Sequence, residues 1–166
     1  NMAIFRLFSG LHAVSCGVLP SGFLGVRRLR NRRIDTLFNE LRQFRTSHVI
    51  IWANYLESIA ALNEALPTAF PQIPVYTLHG RVPATERAAK IDLWKKRGGV
   101  LVATQGTGGY GLTLTESHQV FFYSENWRYA LRLQAEDRCY RIGQKDSVCY
   151  VTLQGESRFD ERIRSA

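Results

Sequence analysis

The stretch Leu133-Gln-Ala-Glu-Asp-Arg-Cys-Tyr-Arg-Ile-Gly-Gln144 carries the strongest chemical signal in this sequence. Gln134, Arg138 and Arg141 stand at i, i+4 and i+7, which on a helix is one face. Two guanidinium groups presented together suit an anion. Arginines aimed at a phosphoryl group neutralise the charge that develops as it is transferred. A plainer reading is a surface helix in which Asp137 pairs with Arg141 at i+4. That pairing explains the charges but not why both arginines crowd the last turns before Ile142-Gly143-Gln144.

A phosphoryl site needs more than arginines. No G-x-x-x-x-G-K-[ST] occurs, so no P-loop is available to cradle phosphates. No Asp-Glu pair ends a buried strand where Mg²⁺ could be held. His12, His48, His79 and His118 are scattered without metal-ligand spacing, and no metal site is expected. The residues amount to half of a nucleotide site.

A second stretch, Gly99-Val-Leu-Val-Ala-Thr-Gln-Gly-Thr-Gly-Gly-Tyr-Gly-Leu112, contains G-x-G-x-x-G at Gly106, Gly108 and Gly111. In a dinucleotide site the third glycine opens a helix that receives a pyrophosphate, and a crossover helix must follow. Only Leu112 to His118 separate this turn from the next apolar run, Gln119-Val-Phe-Phe-Tyr123. A parallel crossover needs a dozen or more residues, so an NAD site is excluded and a glycine-rich turn between strands is expected.

The elements that must position these residues follow from periodicity. Val49–Ala53, Val75–Leu78, residues 100–104, 119–123 and 148–153 are short apolar runs that read as buried strands. Helices are expected between them. Ile4, Leu7, Phe8 and Leu11 fall at helical spacing in residues 3–16. Pro20, Gly22 and Gly25 mark a loop. Asn31 is a candidate N-cap for a helix carrying Ile34, Leu37, Phe38, Leu41 and Phe44 and ending near Thr46. Leu56, Ile59, Ala60 and Leu66 form a helix that Pro67 should stop, and Pro83 stands at a first turn. Ala84, Ala88, Ile91 and Trp94 should line one helix face, and a last helix should cover about 128–142. Strands alternating with helices of this length predict an α/β fold with a mostly parallel sheet covered on both faces.

Length and charge agree with one domain that handles a polyanion. The 166 residues suffice for one core. A net charge of +8 biases partners toward nucleic acid or an acidic surface. The arginine cluster of residues 26–33 fits either such a contact or a solvated linker. Cys16, Cys139 and Cys149 are odd in number and widely spaced, which argues against a disulfide framework and for a reducing compartment. Arg6 and His12 interrupt the N-terminal apolar run, which reads as an amphipathic helix rather than a secretion signal.

Several motifs in order carry a family resemblance. QAEDRCYRIGQ resembles the last helicase motif of the Swi/Snf-like superfamily-two DNA translocases. VLVATQGTGGYGLTLTESHQVFFYSENW resembles the motif that precedes it. VIIWANY and VYTLHGRVPATERAAKIDLW resemble the family's opening strand and its strand-His/Asp-Gly-helix segment. The likeness runs from about residue 47 to 154, and residues 1–46 resemble the helical segment leading into the second lobe.

The resemblance implies a RecA-like, P-loop NTPase-type C-terminal lobe over 47–166, preceded by a helical lead-in over 1–46 that packs on it. It implies the second motor lobe of an ATP-dependent DNA translocase. ATP and Mg²⁺ would be bound mainly by an N-terminal RecA-like lobe in a longer protein, and the isolated chain would be inactive. Arg138 and Arg141 would be arginine fingers, with Gln134 organising them. Gly109, Gly111 and Thr113 would face the ATP cleft; Thr104, His79, Gly80 and Trp127 would face duplex DNA. The protein would be intracellular and DNA-associated, nuclear in a eukaryote, with no membrane partner. Thr113 stands where the family often has Asn, Arg128-Tyr129 where Asn-Pro is common, and Tyr140 where His is frequent. The alternative is a nucleic-acid-binding module that keeps the fold without ATP chemistry.

Overall fold

The five apolar runs become five parallel strands. The computed structural model describes residues 2–19, 27–29, 31–43, 47–107, 112–155 and 159–165. In chain order the elements are α1 (Met2–Ser15), β1 (Val18–Leu19), β2 (Arg27–Arg28), α2 (Arg32–Gln43), β3 (His48–Trp52), α3 (Leu56–Ala69) and β4 (Val75–Leu78). They continue with α4 (Ala84–Arg97), β5 (Gly99–Ala103), β6 (Gln119–Phe122), α5 (Tyr129–Asp137), β7 (Cys149–Thr152) and α6 (Phe159–Ser165). The main sheet has the order β4-β5-β3-β6-β7, and every pair in it is parallel.

Strand alternation divides the core in two. Val49, Ile51, Val100, Val102 and Phe121 pack with Leu37 and Phe38 of α2 and Ile59, Leu62 and Leu66 of α3. Ile50, Trp52, Leu101, Ala103, Val120 and Phe122 pack with Trp94 of α4 and Ala135 of α5. Both faces are therefore covered, which is why these strands read as unbroken apolar runs. Register aligns Trp52 with Ala103 and Phe122, Leu78 with Ala103, and Thr152 with Phe122. The segments after these residues leave from one common edge.

Helix starts follow the local chemistry. The Arg33 N–H donates to Asn31 Oδ1 at 2.9 Å, so Asn31 caps α2. Residues 44–46, where this helix was expected to end with Phe44 on its stripe, lie outside the described residues, as do Pro20, Gly22 and Gly25. Pro83 is the N-cap of α4 rather than a first-turn residue, and its carbonyl accepts the Arg87 N–H at 2.9 Å.

Four further expectations are corrected. Pro67 lies inside α3, which continues to Ala69. A proline there forgoes its own N–H bond and its ring crowds the carbonyl one turn back, yet the Phe70 N–H still closes onto Leu66 O at 2.8 Å. In α4, Ala84 and Ala88 are exposed, and Trp94 with Ile91 makes the inner face. In α1, Ile4, Leu7 and Leu11 face solvent, while His12 and Ala13 are buried. Finally, α5 ends at Asp137, short of the expected 142. Its end is set by tertiary competition: Arg138 O accepts the N–H of Leu114 at 2.8 Å, and Cys139 is drawn fully into the second cluster.

The face of α1 is chosen by a polar cluster. His12 Nδ1 lies 2.8 Å from the Tyr55 hydroxyl, and His12 Nε2 lies 3.4 Å from Asp160 Oδ1. Asp160 Oδ2 accepts from Arg33 Nη2 and, at 2.6 Å, from the Gly155 N–H. Arg33 Nη1 donates to Tyr123 O at 3.0 Å and Leu153 O at 2.6 Å, the carbonyls just beyond β6 and β7. This buried arginine, the last of the sequence cluster, thus joins α1, α2 and α6 across the sheet edge. Burial pulls the His12 pKa down, but pairing with Asp160 and then Cys16 outweighs it, and the value is pushed up to about 9. Burial would raise the Asp160 pKa, but His12, the Gly155 N–H and Arg33 hold it below the ordinary carboxylate value.

Candidate nucleotide and nucleic-acid site

Three segments leave the common strand edge toward the expected contacts. Beyond β4 come His79, half-buried, and Gly80, exposed. The Arg81 N–H donates to His79 Nδ1 at 3.3 Å, and the Arg81 side chain is exposed beside them. A Cβ on Gly80 would meet nothing within 4 Å, so packing does not require glycine there. Beyond β5, Thr104 begins a tight turn closed by the Thr107 N–H onto Thr104 O at 2.9 Å. The Thr104 and Thr107 hydroxyls bond each other. Thr104 N–H also donates to Leu78 O at 3.2 Å, which joins the β4 and β5 exits.

Beyond β6, Trp127 is half-buried and packs edge-on against Phe8 and His12 of α1, with ring centroids 6.1 and 6.2 Å away. Its indole contributes to holding α1 in place. Gly109 and Gly111, expected at the ATP cleft, lie outside the described residues.

The two arginines occupy different environments. Arg138 is 8% exposed; its Nη1 donates to Thr107 O at 2.9 Å, and its guanidinium carbon lies 5.5 Å from the centroid of the Trp52 ring. Burial lowers its pKa from the ordinary arginine value. Arg141 lies beyond the helix and is exposed, and its Nη1 donates to the Thr113 hydroxyl at 3.2 Å. Asp137 does not pair with Arg141, so the salt-bridged surface helix is not what forms. Gln134 is exposed on α5 and bonds neither arginine.

Sequence reasoning missed Gln144. Its Nε2 lies within hydrogen-bonding reach of Thr115 O at 3.0 Å and of Ser117 O and Cys139 O at 3.2 Å. Its Oε1 accepts the N–H groups of Lys145 and Asp146 at 3.0 and 3.1 Å. Gly143, at φ 107°, supplies a left-handed backbone that favours glycine just before it. The dipeptide Gly-Gln after the arginines was the available signal. Cys139 is inert as a nucleophile, because burial pushes its thiol up to about 12. Among the described residues, no three His, Cys, Asp or Glu side chains gather as a metal site.

Chemically, the arrangement offers an exposed guanidinium at Arg141, half-buried hydroxyls at Thr104 and Thr113, and an unobstructed backbone at Gly80. These are donors, suited to phosphate oxygens. No helix among the described residues is long and apolar enough to cross a membrane.

Known proteins resemble this chain in sequence and in fold. The family described as the helicase conserved C-terminal domain matches residues 32–143. The chromatin-remodeling ATPase INO80 of Cryptococcus neoformans var. neoformans serotype D (strain B-3501A) is 29% identical over 146 residues, covering 87% of this chain and 8% of that protein. The ISWI chromatin-remodeling complex ATPase CHR11 of Arabidopsis thaliana is 29% identical over 133 residues, covering 78% of this chain and 12% of its own length. The DNA repair protein RAD5 of Gibberella zeae is 29% identical over 137 residues, covering 79% and 12%. This chain therefore spans about a tenth of each relative. Among solved structures, the C-terminal part of the Fun30 ATPase domain superposes with a TM-score of 0.73 at 23% identity, covering 80% of this chain and 44% of that one. It shares the RecA-like fold.

Proposed function

The chain belongs to the helicase conserved C-terminal domain family, and from that premise we propose that it is the second motor lobe of an ATP-driven translocase on duplex DNA. An N-terminal RecA-like lobe completes the ATP site and holds Mg²⁺. ATP supplies the phosphoryl group whose transfer drives closing and opening of the lobes. Arg141 presents its guanidinium to the phosphates and neutralises charge developing there. Thr113 lies beside it on the cleft side, with Gly109 and Gly111 in the same segment. Thr104, His79 and Gly80, with Arg81 next to them, meet DNA phosphates at the strand edge. The protein works inside the cell on DNA, in the nucleus if the source is eukaryotic.

The observation that carries this reading is the convergence of two motifs. Arg138 and Arg141, both from the last motif, hydrogen-bond to Thr107 and Thr113 of the glycine-rich motif. A solvated surface helix would have no reason to make those bonds. The test is DNA binding by the purified chain. A mainly electrostatic contact predicts sequence-independent binding with Kd of about 10⁻⁴ to 10⁻⁶ M at physiological salt, weakening steeply as salt rises. Affinity that stays flat across salt contradicts it. The same preparation is expected to hydrolyse no ATP above background; turnover that Arg141→Ala abolishes would contradict the shared site.

A further inference from the structure

Helix α1 is apolar on the side that faces away from the lobe as well as on the side that seats it. His12 and Ala13 are buried. Ile4, Leu7, Leu11 and Val14 are 51%, 60%, 39% and 39% exposed. At about 100° per residue these four fall within about 80° of one another, on the side away from His12 and Ala13. Lone exposed apolar residues are ordinary, but a contiguous apolar row marks a contact surface. The spacing says which kind. Steps of three, four and three are the a/d repeat of a helix that packs along another helix. No acidic residue occurs in α1, and Arg6 lies off the row.

The row is also symmetric end to end. Its four positions are centred on Ser9, so a second copy laid antiparallel sets Ile4 opposite Val14 and Leu7 opposite Leu11. A two-fold interface needs this property, because each patch must complement itself. Antiparallel pairing also brings each helix N-terminus beside the other's C-terminus, where the dipoles attract. Each lobe lies on the far side of its own helix. Because α1 is already folded on its lobe, pairing does not bear the cost of starting a helix.

We propose that this face of α1 docks a second copy of the chain, as an antiparallel helix pair through Ile4, Leu7, Leu11 and Val14. The pairing is independent of the motor-lobe reading. Four side chains per copy make a small interface, below about 1,200 Å², of the weak and transient class. Each copy carries a net charge of +8, and that repulsion opposes association until salt screens it. The dimer should therefore tighten as salt rises, whereas DNA binding weakens.

Sedimentation equilibrium of the purified chain tests the pairing. Wild type should pass from monomer to dimer with Kd of about 10⁻⁶ to 10⁻³ M. Leu7→Glu and Leu11→Lys each bury an unpaired charge in the seam and should each weaken the dimer at least about 10²-fold. Both residues are exposed in the monomer, so dilute samples of either variant should melt with wild type. The double variant Leu7→Glu with Leu11→Lys sets opposite charges against each other twice across the two-fold. It should dimerise at least about tenfold more tightly than either single variant. Leu7→Glu with Ile4→Lys carries the same charges without facing them across the pair and should stay monomeric.

A wild-type chain still monomeric at about 1 mM contradicts the proposal, as do assemblies that grow beyond a dimer. A double variant no tighter than the single ones rejects the antiparallel register. A dimer that loosens with salt rejects the apolar seam. A lower Tm for Leu7→Glu in dilute solution would place Leu7 in the packing of its own lobe and overturn the proposal as well.

Discussion

At the scale of single residues, Arg138 is buried against Trp52 while Arg141, three positions on, is exposed. Gln134, Arg138 and Arg141 share a face only if the helix persists, and it yields at Arg138 to the Leu114 N–H. That bond joins positions 24 residues apart in the chain (138 − 114) and leaves no local trace. The Arg33–Asp160 pair, separated by 127 residues, was equally invisible. It carries a prediction. Removing one partner of a buried ion pair typically costs about 3–5 kcal/mol, because the other charge is left unpaired. Asp160→Ala strands both Arg33 and His12, so a loss of that order is expected in urea unfolding; a loss under about 1 kcal/mol would show that the cluster holds little. His12 adds a pH dependence. Its folded pKa of about 9 stands above the ordinary 6.5. The proton it binds on folding therefore stabilises the fold fully below the ordinary value, and that contribution is lost as pH rises through the folded one. Tm should fall between about pH 6.5 and pH 10 more steeply in wild type than in His12→Gln; parallel curves would refute the pairing.

At the scale of elements, the five main strands were legible because strands buried on both faces can be read from apolar content alone. Val75–Leu78 was found to the residue, and the other four to within one residue at each end. The pair β1–β2 was not, since two-residue strands carry no periodicity. The face of α1 was misread because its buried side is selected by His12 and the cluster around Asp160 rather than by apolar residues. The α4–β5 junction makes a sharper test of local geometry. Gly98 and Gly99 have φ of 73° and 116°, and a Cβ on Gly99 would strike Pro74 O. Gly99→Ala should cost at least about 1–3 kcal/mol through backbone strain. Gly10 lies inside α1 with open space around it, so Gly10→Ala should stabilise by about 0.5–1 kcal/mol. Opposite shifts in urea midpoint support both assignments; shifts of the same sign would not.

At the scale of the whole molecule, His79, Gly80 and Thr104 follow β4 and β5 at the C-terminal ends of parallel strands, and Arg141 lies in the loop after α5 bonded to Thr113. In the proposed function these guanidinium and hydroxyl groups meet an anion; the sequence has neither a P-loop nor a strand-end carboxylate pair. The α/β class was legible in strand and helix alternation, and the family in the order of four motifs. The seating of each arginine depended on packing that no motif encodes. The central claim is that Arg141 serves a nucleotide completed by another lobe. Its most direct measurement is the DNA-stimulated ATPase rate of the two-lobed protein, wild type beside Arg141→Ala and Arg141→Lys, with Tm and DNA affinity recorded for each. An arginine finger is worth about 10³ to 10⁵ in rate, so both variants should lose turnover on that scale while Tm and DNA affinity stay near wild type. Turnover at the wild-type rate in either variant would contradict the account.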